Sequence, residues 1–95
     1  MADQPAVALD LSRFIETRIF GERPHIRGRR VPVAFVAYSK ENEQWDVDEL
    51  AYQYSLTRAE VLAALLYYEE HKAEIDAQEA AERATYEEMK RLYAC

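Results

Sequence analysis

Two helix starts in close succession constrain the fold more than any other feature of this chain. In WDVDELAYQYSLTRAEVLAALLYY, residues 45–68, Asp46 stands as an N-cap with Glu49 three residues on, and Thr57 repeats the device with Glu60. An N-cap side chain accepts from a first-turn backbone N–H while the acidic residue reaches back, so orphan donors are satisfied reciprocally. Trp45 with Leu50, and again Leu56 with Val61, stand where a hydrophobic staple sets the angle of entry. Val47, Leu50, Ala51 and Tyr54 form an i, i+3, i+4, i+7 stripe, and Val61, Leu62, Leu65, Leu66 and Tyr68 line the following helix. Only Ser55 and Leu56 lie between them. The pattern predicts helices over about 46–54 and from 57 onward, paired as a helix-turn-helix within a three-helix bundle.

Upstream, RFIETRIF (13–20) alternates with β-branched residues and predicts a strand, with Phe14, Glu16, Arg18 and Phe20 on one side. GERP (21–24) punctuates it, and HIR (25–27) reads as a short return strand, so residues 13–30 are expected to form a β-hairpin with a bend at Gly28. Pro32 suits the first turn of a helix carrying Val33, Val36 and Ala37, with Asn42 as its left-handed cap. Beyond Tyr68 the chain is rich in Ala, Glu and Lys without Gly or Pro, which favours a helix; TYEE (85–88) offers a further cap and a possible break near Thr85. The expected fold is α+β: a flexible arm (1–12), a hairpin plus helix-turn-helix domain (13–72) and an acidic helical extension (73–95).

Charge runs unevenly along this frame. The formal charge is −6, yet residues 13–30 hold six arginines against Glu16 and Glu22. RPHIRGRRVPV (23–33) contains four of them, Arg23, Arg27, Arg29 and Arg30. Guanidinium forks match phosphate oxygens, so a positive front with carboxylates turned away would suit DNA, while solvated charges or braces against acidic helix ends are the plainer alternative. At the start of the second helix of the helix-turn-helix, where bases are normally read, the candidates are Thr57, Arg58, Ala59, Leu62 and Ala63. Arg58 alone is a strong base reader, and Glu49, Glu60, Glu69 and Glu70 would repel phosphate. If DNA is bound, the hairpin arginines are the expected surface.

Catalysis finds little support. His25 and His71 stand far apart with no evident nucleophile beside either, and two glycines cannot build a phosphate-cradling loop. The single cysteine, Cys95, permits no internal disulfide, and neither metal nor cofactor is expected. The longest apolar run, VLAALLYY (61–68), is far short of a membrane span, and the N-terminal residues lack a secretory pattern, so a cytoplasmic protein is expected.

The run GERPHIRGRRVPV, then a helix, then DVDELAYQYSLTRAEVLAALLYY, resembles a bacterial family known as domain of unknown function 433. The likeness covers about residues 13–68, with IRG-x-R-V-P-V as its most specific part. Two departures stand out: ENEQW replaces a glycine after the first helix, and Arg29 stands where a small polar residue is usual. Members look like antitoxins of type II toxin–antitoxin pairs. The resemblance therefore implies binding of a PIN-like ribonuclease toxin and of operator DNA, the latter to repress transcription of the pair's own operon. Tyr86, Met89, Leu92 and Tyr93 recur at three- and four-residue spacing in the extension, outside the shared region. They would need a partner to bury them, which suits helix-in-groove binding. The alternative reading is a protein-binding dimerisation or adaptor module with no DNA contact. Either way a homodimer is expected, because strand edges and the apolar third helix offer self-complementary surfaces.

Overall fold

The computed structural model describes residues 10–17 and 23–93. The expectations for the arm before Asp10, for Arg18 to Glu22 and for Cys95 lie outside these residues. A short 3-10 turn, Leu11–Arg13, opens the described chain, and the Asp10 carboxylate caps it by accepting from the Ser12 N–H at 3.2 Å. Two strands follow, β1 (Ile15–Glu16) and β2 (His25–Ile26), paired antiparallel with Ile15 opposite Ile26 and Glu16 opposite His25. Among the described residues the strand pairing is confined to these four. Arg13 belongs to the 3-10 turn, because the cap at Asp10 coils the backbone before extension begins.

Four α-helices follow among the described residues: α1 (Val33–Glu43), α2 (Val47–Tyr54), α3 (Arg58–Glu70) and α4 (Lys72–Tyr93). The architecture is α+β and mostly helical. Pro32 precedes α1 in an extended conformation, its fixed φ leading into the first turn without a side-chain cap. Asn42 lies inside the last turn of α1, and Gln44 (φ 58°) takes the left-handed position instead. The later stop leaves Trp45 to fold against the core immediately before the Asp46 cap.

Both caps form. Asp46 accepts from the Glu49 N–H at 2.9 Å, although the Glu49 carboxylate turns outward to accept from Gln53. The second capping box is complete: Glu60 N–H donates to Thr57 Oγ1 at 3.1 Å, and Thr57 N–H donates to Glu60 Oε1 at 2.8 Å. Between them Ser55 (φ 58°) ends α2, and Leu56 turns into the core.

One core collects Ile15 and Ile26 from the hairpin, Val33, Val36 and Ala37 from α1, Leu50 from α2, Val61, Ala64 and Tyr68 from α3, and Ile75 from α4. The expected α1 stripe is buried throughout. On α3 the buried face is Val61, Ala63, Ala64 and Tyr68, whereas Leu62 is 50% exposed. The extension is one helix with no break at Thr85; its uninterrupted helix formers leave no reason for the extended N-cap conformation that a new start needs.

Polar ties set how α4 leaves the body. Tyr38 of α1 and Tyr68 of α3 both donate to Asp76 Oδ1, at 2.6 and 2.8 Å, and Lys72 donates to the Tyr68 hydroxyl at 3.0 Å. Burial, and then the bond to Asp76, raise the Tyr38 phenol well above its usual range, while the two tyrosine donors hold Asp76 below the ordinary carboxylate value. Glu60 is also lowered: partial burial opposes ionisation, but the bonds from Thr57 and Arg29 outweigh it. A depressed carboxyl stabilises the fold above its unfolded pKa, 4.5 for Glu60, and that contribution disappears as pH falls through the depressed folded value. Thermal unfolding followed by circular dichroism should therefore show stability declining below about pH 4.5. Glu60→Gln keeps a capping-box residue but cannot titrate, so it should make that decline shallower.

Candidate functional site

The arginine segment forms the tip of a tight excursion. Ile26 N–H donates to the Val31 carbonyl at 2.8 Å and Val33 N–H to the Pro24 carbonyl at 2.9 Å, while Arg27 N–H reaches back to Phe14 at 2.7 Å. Residues 27–30 cap this excursion, and the reversal uses two left-handed residues, Gly28 (φ 77°) and Arg30 (φ 59°). Glycine takes that conformation freely, whereas at Arg30 it costs on the order of 1 kcal/mol.

The side chains around this tip do not form one free positive face. Arg23 is turned inward: its Nε and Nη2 donate to the two carboxylate oxygens of Glu79 on α4, each at 3.0 Å. Only 18% of the Arg23 side chain and 12% of Glu79 are exposed. Arg27 donates to Glu16 at 3.0 Å and to the Ser12 carbonyl at 2.9 and 3.1 Å, and Arg29 donates to Glu60 at 3.2 Å. Arg30 is exposed and makes no hydrogen bond or ion pair among the described residues. Arg27, Arg29 and Arg30 therefore share the tip with two carboxylates, which leaves one net positive charge. The charge segregation seen along the sequence is largely undone in space.

His25 lies beneath this surface, fully buried, with Nδ1 3.1 Å from the Arg23 carbonyl and Nε2 3.4 Å from Glu16 Oε2. His71 stacks on Tyr67 at the joint between α3 and α4, with ring centroids 4.1 Å apart. The two imidazoles stand in different parts of the body, each against its own structural partners. Among the described residues no group of three His, Cys, Asp or Glu side chains could hold a metal ion. Among them too, no helix is long and apolar enough to cross a membrane.

On α3, Arg58 is paired with Asp48 of α2, both well exposed. Beside it Ala59, Leu62, Ala63 and Leu66 join Leu11 and Phe14 in a shallow apolar groove of about 460 Å³. The face of the helix-turn-helix at which bases would be read is therefore mainly apolar. Tyr86, Met89, Leu92 and Tyr93 stand on the far half of α4, all exposed, in a stretch (80–93) with no buried residue. At about 100° per residue, Tyr86, Met89 and Tyr93 continue the face that buries Ile75 in the body.

A family model described as "Protein of unknown function (DUF433)" matches residues 15–68, from β1 to the last buried residue of α3. The chain belongs to the DUF433 family. Comparisons with curated proteins and with solved structures found no match. The DUF433 match ends before α4, yet the body does not: Ile75, Asp76 and Glu79 bind the first two turns of that helix to residues inside the matched region.

Sequence reasoning singled out the arginines but missed their acceptors. Glu79 lies 56 residues from Arg23, and no local pattern announces such a pair. Tyr68, Lys72 and Asp76 stand four residues apart in succession, a spacing that could have marked them as one helical face. Hydrogen bonds to charged groups contribute roughly 1.5–3 kcal/mol, so Arg23→Ala should lower stability by about that amount in urea denaturation. An effect within about 0.5 kcal/mol would class the pair with ordinary exposed ones.

Proposed function

We propose that this DUF433 protein is an antitoxin of a type II toxin–antitoxin pair that neutralises a PIN-like ribonuclease through the far half of α4. The observation that carries the reading is the stripe Tyr86, Met89 and Tyr93, with Leu92 at its edge, on a helical stretch that none of the described residues covers. An isolated helix of this length is marginal in water, and the body anchors only its near end. A groove on a partner would bury the stripe. Glu82, Glu87 and Glu88 around it are balanced by Arg83, Lys90 and Arg91, so the match is apolar: the stripe would seat in an apolar groove at the surface with which the ribonuclease grips RNA. Occupying that surface would exclude substrate.

Operon repression is the second part of the proposal, and it rests on the tip. Arg27, Arg29 and Arg30 are exposed enough to meet phosphate, although Arg27 and Arg29 also bond to the largely buried carboxylates of Glu16 and Glu60. Arg23 has no part in this surface, and Arg58 lies beside an apolar groove. The engagement of four of the five candidate arginines with carboxylates of the same chain favours the second reading, a protein-binding module without DNA contact.

Two measurements test these readings. With the ribonuclease encoded by the neighbouring reading frame, Met89→Glu combined with Tyr93→Glu should weaken inhibition about 30-fold or more, the scale of losing an interface hot spot. Unchanged inhibition would remove α4 from the mechanism. With the DNA upstream of the gene, affinity should fall linearly with salt on logarithmic axes, and Arg27→Ala or Arg30→Gly should each reduce that slope by roughly one. Arg23→Ala should leave the slope alone, and absent binding at low salt favours the module without DNA contact.

A further inference from the structure

The groove on α3 is a second uncovered apolar surface, and α4 does not need it. Leu62 and Leu66 project from the side of α3 opposite Val61, Ala64 and Tyr68, so the groove faces away from the core. We propose that it is the interface of a homodimer in which α3 packs antiparallel to α3 of a second copy across a two-fold axis.

The order of side chains along α3 selects the antiparallel pairing. Ala59, Leu62 and the half-buried Leu66 form an apolar stripe on the outer side of α3, edged by the buried Ala63, with Arg58 at its N-terminal end and Glu69 at its C-terminal end. At about 100° per residue, Arg58 and Glu69 fall on the same flank of that stripe. A two-fold interface is self-complementary, so a residue near one end meets a residue near the other end of the partner. In antiparallel register, with Leu62 opposite Leu66 of the second copy, Arg58 comes within one residue of the second copy's Glu69 on the same flank, and the match occurs twice. A parallel two-fold would instead place the two Arg58 side chains on opposite flanks of the interface, out of reach of either Glu69. The alanines at 59 and 63 leave room for the facing leucines.

The groups available at this face fit the arrangement. Glu69 is exposed and has no hydrogen bond or ion pair among the described residues. Arg58 pairs only with exposed Asp48, an interaction weak enough to be shared. Leu11 and Phe14 widen the apolar area from the opposite flank. Such an interface occupies the face of α3 that would otherwise enter a DNA groove, so any DNA contact falls to the arginine tip, present twice in the dimer.

Sedimentation equilibrium of the full chain under reducing conditions tests the assignment without reference to toxin or DNA. The wild-type chain should sediment as a dimer. Arg58→Glu and Glu69→Arg should each weaken association about tenfold or more through like-charge contact, and combining them should recover most of the loss. Leu62→Glu should give a monomer with unchanged helical circular dichroism. Met89→Glu on α4 should leave the dimer intact, which separates this interface from the ribonuclease-binding stripe. The proposal is overturned if the wild-type chain is monomeric throughout the micromolar range. It is equally overturned if Leu62→Glu remains dimeric, if the double charge reversal fails to recover association, or if Met89→Glu abolishes it.

Discussion

The carboxylate of Glu60 joins the start of α3 to the arginine tip through two separate bonds. It accepts from the Thr57 N–H and so fixes where α3 begins; it also accepts from Arg29 and so fixes the arginine tip against that helix end. A strand pair of two residues each cannot hold a loop by backbone pairing alone. The tip is instead held by burial of Ile15 and Ile26 beneath it and by guanidinium–carboxylate bonds around it. Because Glu60 lies at the first turn of α3, its negative charge also suits the positive end of the helix dipole.

The same economy governs α4. Ile75 is its one buried residue, a small anchor for a helix of 22 residues, about 33 Å long. Specific bonds supply the rest. Asp76 receives hydroxyls from α1 and α3, and one turn on, Glu79 receives the fork of Arg23. Three neighbouring positions thus tie the near end of α4 to two helices and the hairpin, and the direction of the far half follows from them. The stripe of Tyr86, Met89 and Tyr93 is displayed by a body that grips the helix only at its base.

Features that depend on neighbours in the chain were legible in the sequence. Asp46 and Thr57 marked two helix starts because capping is decided within four residues, and Val33, Val36 and Ala37 marked a buried face because helical periodicity is local. Features decided across the fold were not. The arginines looked like one positive front because their acceptors, Glu60 and Glu79, lie on helices far along the chain. Leu62 and Leu66 looked like core residues by composition, and only the packing of α3 shows which of its two apolar faces the body uses. Thr85 carried a cap signal that a continuing helix overrides.

The backbone around β2 bears on how copies of this chain can meet. β1 lies along one flank, and the segment that leads into α1 lies along the other, bridging His25 to Pro32. A strand enclosed on both sides has no spare donors or acceptors to template an incoming chain, and Pro32 itself carries no N–H. β2 is thereby closed to edge-wise growth, the route by which exposed strands recruit one another into open-ended aggregates. The two-fold pairing of α3 proposed above works otherwise: it joins side-chain surfaces, closes on itself and stops at two.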